Sequence, residues 1–245
     1  GRMSRPGVSL IPPAGTDIGE YRVLREIGRG GMATILEVEH RESGQLRAIK
    51  LMLPGGHTEE VIQRFHLEFD ILARLDHPGV MRVHTTDEIE GRPYIVMELL
   101  DGQVLGAVVE SWKDLPPADR FERARSVLVS VAKALEYVHG QGLVHRDVTP
   151  ANIMVLNDET IRLMDFGVVK EPGADLTSVG EVVGTVAYIA PEQINGSRVD
   201  ARTDLYSLGA VLYLMLTGKR PFTARTLAGY LDKHLHRPVR PPREL

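Results

Sequence analysis

Lys50 lies in Arg47-Ala48-Ile49-Lys50, a strand-like run in which it alternates with apolar neighbours and so points to one face of a sheet. An ammonium turned inward must find a partner, because burying it unpaired is costly. Glu68, on the helix-like segment that follows, is the natural carboxylate; taken alone, a strand lysine and a helical glutamate are ordinarily just solvated. Upstream, Gly28-Arg29-Gly30-Gly31-Met32-Ala33 falls between two strand patterns and opens no helix, unlike a dinucleotide-binding turn. It is either a plain glycine-rich hairpin or a loop lying over a ligand. The chain has no cysteine, which excludes disulfide scaffolds, thiolate metal sites and cysteine nucleophiles. Any chemistry must use oxygen and nitrogen groups.

Further along come His145-Arg146-Asp147-Val148-Thr149-Pro150-Ala151-Asn152, then Asp165-Phe166-Gly167, then Ala190-Pro191-Glu192. With the glycine loop and Lys50, this ordered set resembles a eukaryotic-type (Hanks-type) protein kinase domain over about Tyr21 to Phe222. The phrases YIVMELLDG, HRDVTPANIMV and GTVAYIAPEQ are most similar to bacterial Ser/Thr protein kinases. The resemblance implies an ATP-dependent transfer of the γ-phosphoryl group to protein Ser/Thr hydroxyls, including autophosphorylation, with Mg²⁺, or Mn²⁺, as cofactor. It implies that backbone amides of Gly28, Gly30, Gly31 and Ala33 cover the phosphates, Lys50 binds them, and Glu68 orients Lys50. Asp147 is then the base, and Asn152 and Asp165 hold the metal, a hard cation suited to oxygen ligands. Ile35, Ala48 and Met154 sandwich the adenine, Met97 guards the back of its pocket, and Glu98 and Leu100 offer main-chain groups to the base. His145 is structural, packed in a column with Phe166, Leu72 and Val83, and Asp204 accepts hydrogen bonds from the catalytic-loop backbone.

Two departures matter. Relatives usually carry Lys two residues after the catalytic Asp, in contact with the γ-phosphate, where this chain has Thr149. That removes one charge from the transfer site, so the alternative is a pseudokinase or weakly active nucleotide-binding scaffold. A small-molecule phosphotransferase is disfavoured by the Ala-Pro-Glu and Gly-Thr-x-x-Tyr segments, which build a protein-substrate platform in the family. The second departure is Glu181, four residues before Thr185, where some relatives carry a phosphorylated Thr. Arg146, Arg64 and Lys170 align with the basic positions that gather round that phosphate. Glu181 is expected to mimic it by pairing with Arg146, with Thr177 and Ser178 as the autophosphorylation sites, or else to be a solvated loop residue.

These residues need a scaffold, and the chain has 245 residues in which to build one, enough for one domain or two packed lobes. Hydrophobic residues at 43% and charged residues at 25% exclude collagen-like, coiled-coil and largely disordered chains. A net charge of −4 argues against nucleic acid as the main partner. No apolar run is long enough for membrane insertion. We expect an α+β, protein-kinase-like bilobal fold: a small antiparallel sheet lobe with one helix over residues 21–100, and a mainly helical lobe over 101–245. Residues 1–20 read as a flexible lead-in, with Gly1 and Arg2 a cloning remnant.

Strand patterns cover YRVLREIG, TILEVEH, LRAIKLML, MRVHTTDEI and RPYIVMEL. A helix over Glu59–Leu75 presents Val61, Ile62, Phe65, Phe69, Leu72 and Leu75, and Leu100-Asp101-Gly102 reads as a polar hinge. A second helix, Arg120–His139, presents Phe121, Ala124, Val127, Leu128, Val131, Leu135 and Val138. Two short strands follow, and Thr203–Leu216, apolar nearly all round, reads as a buried central helix. The family continues past Pro221-Phe222 with further helices, one bearing an Arg partner for the Ala-Pro-Glu glutamate. The C-lobe is therefore expected to be truncated, with Glu192 unpartnered, the flank Val211–Leu216 partly uncovered, and a homodimer or partner subunit covering it. The expected location is the cytoplasm, with a longer parent chain free to be tethered to a membrane.

Overall fold

The computed structural model describes residues 11–55, 58–166 and 186–244, apart from the side chain of Arg64. The chain divides into two compact units, one running to Asp76 with Met81–Leu100, the other taking His77–Val80 and the chain from Asp101 on.

The first unit is a six-stranded antiparallel sheet. Its strands are β1 (Asp17–Ile18), β2 (Tyr21–Arg29), β3 (Ala33–His40), β4 (Leu46–Met52), β5 (Val83–Ile89) and β6 (Arg92–Glu98), in the order β1-β2-β3-β4-β6-β5. Because side chains alternate along a strand and directly paired residues share a face, the register sorts the sheet into two surfaces. One carries Leu36, Val38, Ile49, Leu51, Tyr94 and Val96, which with Ile18 and Val23 form the apolar core. The other carries Ile35 opposite Lys50, and Ala48 opposite Met97. Helix α1 (Glu59–Leu72) buries Phe65, Ile71 and Leu72. It stops three residues short of the expected end: Ala73 and Arg74 bond back to Phe69 and Ile71 in a closing turn, while Leu75 is still buried.

Residues 11–20 are not a free lead-in. Ile18 is fully buried, Asp17 and Ile18 pair with Arg22 and Tyr21, and Ile11 packs on the same core. Proline and glycine shape the path of this segment without removing it from the fold.

In the second unit a three-stranded sheet is built from β7 (Gly102–Val104), β8 (Ile153–Leu156) and β9 (Ile161–Leu163). Gly102, expected in a hinge, is a strand residue pressed on its neighbour: a Cβ there would fall 2.2 Å from Val155 O. Next come α2 (Leu105–Ser111), which no sequence pattern announces, and α3 (Pro117–Gly140). Helix α3 buries Ala124, Val127, Val131, Ala134, Leu135 and Val138, whereas Phe121, expected on that face, is exposed. Then follow α4 (Pro191–Asn195), α5 (Ala201–Thr217) and α6 (Leu227–His236). Helix α5 starts on Asp200, whose side chain accepts from Arg202 N, and stops at Gly218 in the left-handed region. It is less uniformly buried than its composition suggests, since Leu205 is exposed. Val211 and Met215, on the flank expected to be partly uncovered, are fully buried.

Candidate active-site residues

In the first unit, Lys50 Nζ donates to Glu68 Oε1 at 2.7 Å, so α1 lies across the sheet face that carries Ile35, Ala48 and Met97. Both side chains are mostly buried, which makes the pairing a requirement of desolvation and no longer an ornament of the surface. Ala48 and Met97 are buried and Ile35 half-buried, giving Lys50 an apolar surround. Glu98 is pinned to the residue just before β5, its N–H donating to Arg82 O and its carboxylate accepting from Arg82 N. Leu100 is half-buried at the end of the unit.

The glycine loop closes the β2–β3 hairpin. Gly30 N donates to Ala33 O, and the fully buried Thr34 hydroxyl bonds Gly28 O and Glu26 Oε1, each at 3.1 Å. Neither Gly28 nor Gly30 has a positive φ, and a Cβ on either would meet its nearest neighbours only at ordinary contact distance. Packing and backbone strain thus give no reason for glycine at these two positions.

In the second unit, the catalytic-loop motif is organised round buried polar groups. Asn152 Nδ2 donates both to Asp147 O (2.9 Å) and to Asp147 Oδ2 (2.8 Å). Both amide hydrogens of Asn152 are thus spent on Asp147. Asp147 itself is buried, and its N–H donates to His145 Nδ1. His145 is fully buried, packs against Phe166 with centroids 4.3 Å apart and the rings tilted by 37°, and places Nε2 3.0 Å from Met164 O. Burial pushes its pKa below the usual imidazole value, so the ring is neutral, with Nε2–H as donor and Nδ1 as acceptor. Asp165 is exposed, Met154 is half-buried on β8, and Thr149 is buried. The other two members of the expected column, Leu72 and Val83, are buried within the first unit.

Beneath the loop, Asp204 in the first turn of α5 is fully inaccessible. Its Oδ2 accepts from His145 N (2.8 Å) and meets His139 Nε2 (2.7 Å), while Oδ1 accepts from Arg146 N (2.8 Å). The N-terminal end of a helix favours such a charge. His139 escapes the sequence reading; it lies in the last turn of α3, four residues after the buried Leu135, and a count of apolar positions on that face passes over it. Arg146 and Asp165 have φ of +65° and +45°, left-handed values that side chains avoid. Glu192, expected to be unpartnered, accepts a 2.6 Å hydrogen bond from Thr203 Oγ1. Lys170, Thr177, Ser178, Glu181, Thr185 and the side chain of Arg64 lie outside the described residues.

Comparison with known proteins bears on this arrangement. The protein kinase domain family model matches residues 21–240. The chain is 38% identical to the serine/threonine-protein kinase Pkn1 of Myxococcus xanthus over 240 residues, covering 94% of this chain and 34% of that one. It is 36% identical to the serine/threonine-protein kinase PknD of Mycobacterium tuberculosis, covering 96% of this chain and 35% of that one. It thus spans about a third of the length of these relatives. The crystal structure of a double mutant of the Mycobacterium tuberculosis PknI kinase domain superposes with a TM-score of 0.68 at 27% identity, over 96% of this chain and 93% of that one. A match of this extent, on a chain whose motif residues are held as described, has one reading: the chain belongs to the protein kinase domain family.

Proposed function

We propose that this domain transfers the γ-phosphoryl group of ATP to serine or threonine hydroxyls of protein substrates. The observation that carries the proposal is the Asp147–Asn152 pair, in which one amide fixes the carboxylate that would take the substrate proton. The Ser/Thr preference rests on the named activities of the relatives.

Phosphoryl transfer asks mainly for positioning and for neutralisation of phosphate charge. Lys50, held by Glu68, supplies a fixed cation, and the Gly28–Ala33 loop supplies backbone N–H groups with no side chain in the way at its glycines. Among the described residues no cluster of three or more His, Asp or Glu could hold a metal ion by itself. Mg²⁺ is bound through one or two protein oxygens and completes its shell with phosphate oxygens and water. Asp165 and the Asn152 carbonyl oxygen are the protein donors that would hold it; when bound, the ion neutralises charge on the phosphates. Asp147 orients the substrate hydroxyl and accepts its proton. Thr149 is buried and brings no charge, which leaves Lys50 as the cation assigned to the phosphates here. Among the described residues no helix is long and apolar enough to cross a membrane.

The test is transfer of labelled phosphate from ATP to a generic basic protein, followed by phosphoamino-acid analysis. Label on Ser or Thr that is lost in Asp147→Asn supports the proposal. ATP binding, seen as a melting shift, without any transfer would favour the scaffold reading.

A further inference from the structure

Arg146 sits at φ +65° immediately before the proposed base. A non-glycine residue is disfavoured in that backbone region, so surrounding contacts must hold it. Its N–H is taken by Asp204 Oδ1. Its carbonyl is taken by a residue that no sequence argument singles out: Gln193 Nε2 donates to Arg146 O at 2.9 Å, across 47 positions of sequence.

We propose that Gln193 is a positioning residue for phosphoryl transfer, clamping the peptide unit that aims Asp147. The unit joining Arg146 to Asp147 has two polar atoms, and both are held by side chains: the carbonyl oxygen by Gln193, the Asp147 N–H by His145 Nδ1. With both ends fixed the peptide plane cannot rotate, and the direction in which the Asp147 side chain leaves the backbone is fixed with it. Gln193 is itself held in one orientation, because its Oε1 accepts from Ala190 N at 3.1 Å. A flipped amide would set oxygen against the Arg146 oxygen and NH₂ against the Ala190 N–H. The side chain therefore couples the first turn of α4, in the Ala-Pro-Glu segment, to the base. Displacements of about 1 Å in such groups can lower a rate about 100-fold, which makes a single neutral hydrogen bond consequential out of proportion to its strength.

The inference rests on the kinase reading, and the test separates the two. Gln193→Glu keeps an oxygen to accept from Ala190 N but loses the donor and sets a carboxylate against the Arg146 carbonyl. Steady-state kinetics with a protein substrate should show kcat falling at least about 10-fold, with KM for ATP within about twofold of wild type and the melting temperature little changed. A merely structural role would lower the melting temperature and leave the kcat of the folded enzyme alone. Gln193→Met, apolar and close in length, removes the donor without adding charge and is read by the same criteria should the Glu variant not fold. Wild-type transfer with kcat unchanged in the folded variant overturns the role of Gln193 alone; no transfer by the wild type overturns both readings.

Discussion

Asp204→Asn changes one atom in a site with no access to solvent, and its cost follows from counting donors. The carboxylate accepts from two backbone N–H groups, those of His145 and Arg146, and meets His139 Nε2. An asparagine offers one oxygen. Whichever way its amide is placed, at least one backbone N–H faces an NH₂ group and is left unsatisfied, at a cost of about 1–3 kcal/mol. The bonds that survive lose their charge assistance, about 1 kcal/mol each. The expected loss is therefore about 3–5 kcal/mol, a large part of the ~5–15 kcal/mol that holds a typical domain together. For a chain of this size that is a fall of roughly 6–20 °C in melting temperature. The single tryptophan, Trp112, is buried in the second unit, so its fluorescence reports the unfolding of that unit alone. A denaturant titration followed by Trp112 gives the free energy directly. A loss below about 1 kcal/mol, with an unchanged m-value, would refute the claim that this carboxylate organises the catalytic-loop backbone.

Other consequences are equally open to measurement. Lys50→Met removes the cation paired with Glu68, and kcat/KM should fall at least about 100-fold; a fall under tenfold would deny Lys50 a part in phosphate binding. Gly102→Ala drives a Cβ into Val155 O and Leu156 Cα, so β7 and β8 must separate, at about 1–3 kcal/mol in the same Trp112 titration; an unchanged midpoint would mean that the strands are not paired this closely. His234, bonded to Tyr206 OH and set edge-on to Phe222, has its pKa lowered by burial. Above about pH 6.5 the imidazole is neutral in both folded and unfolded chains. Below that the unfolded chain takes up the proton first, so stability falls as pH drops toward the folded value, and His84 and His145 act in the same direction. His234→Phe should make the slope between pH 6.5 and 5 shallower by up to about 1.4 kcal/mol per pH unit. An unchanged slope would contradict the neutral, buried assignment.

The parts of this molecule that could be read from sequence are those whose physics is local. Alternation in Ala33–His40 names the faces of that strand, and the cost of burying Lys50 names Glu68 as its partner, which the 2.7 Å contact matches. What escaped is set by distant backbone. Two residues of β1 have no periodicity to betray them, yet Ile18 is at the centre of the core. Phe121 fits the helical spacing of α3 and is nonetheless exposed, because spacing identifies a face without saying where its partner ends. His139 and Gln193 are polar residues on helices, and nothing near them in sequence indicates that one meets Asp204 and the other the Arg146 carbonyl. Glu192 looks unpartnered in the sequence only as long as a long cationic side chain is sought for it; a threonine eleven positions on suffices.

In the proposed function, transfer to protein hydroxyls depends on Asp147 and Asp165. Incorporation of labelled phosphate from ATP and Mg²⁺ into a basic protein substrate, compared between the wild-type chain and Asp165→Asn at equal folded concentration, tests it most directly. Label on Ser or Thr is expected from the wild type, with a loss of at least about 100-fold in the variant, which lacks the proposed metal donor. Equal labelling by the two proteins, or none from either, would contradict it.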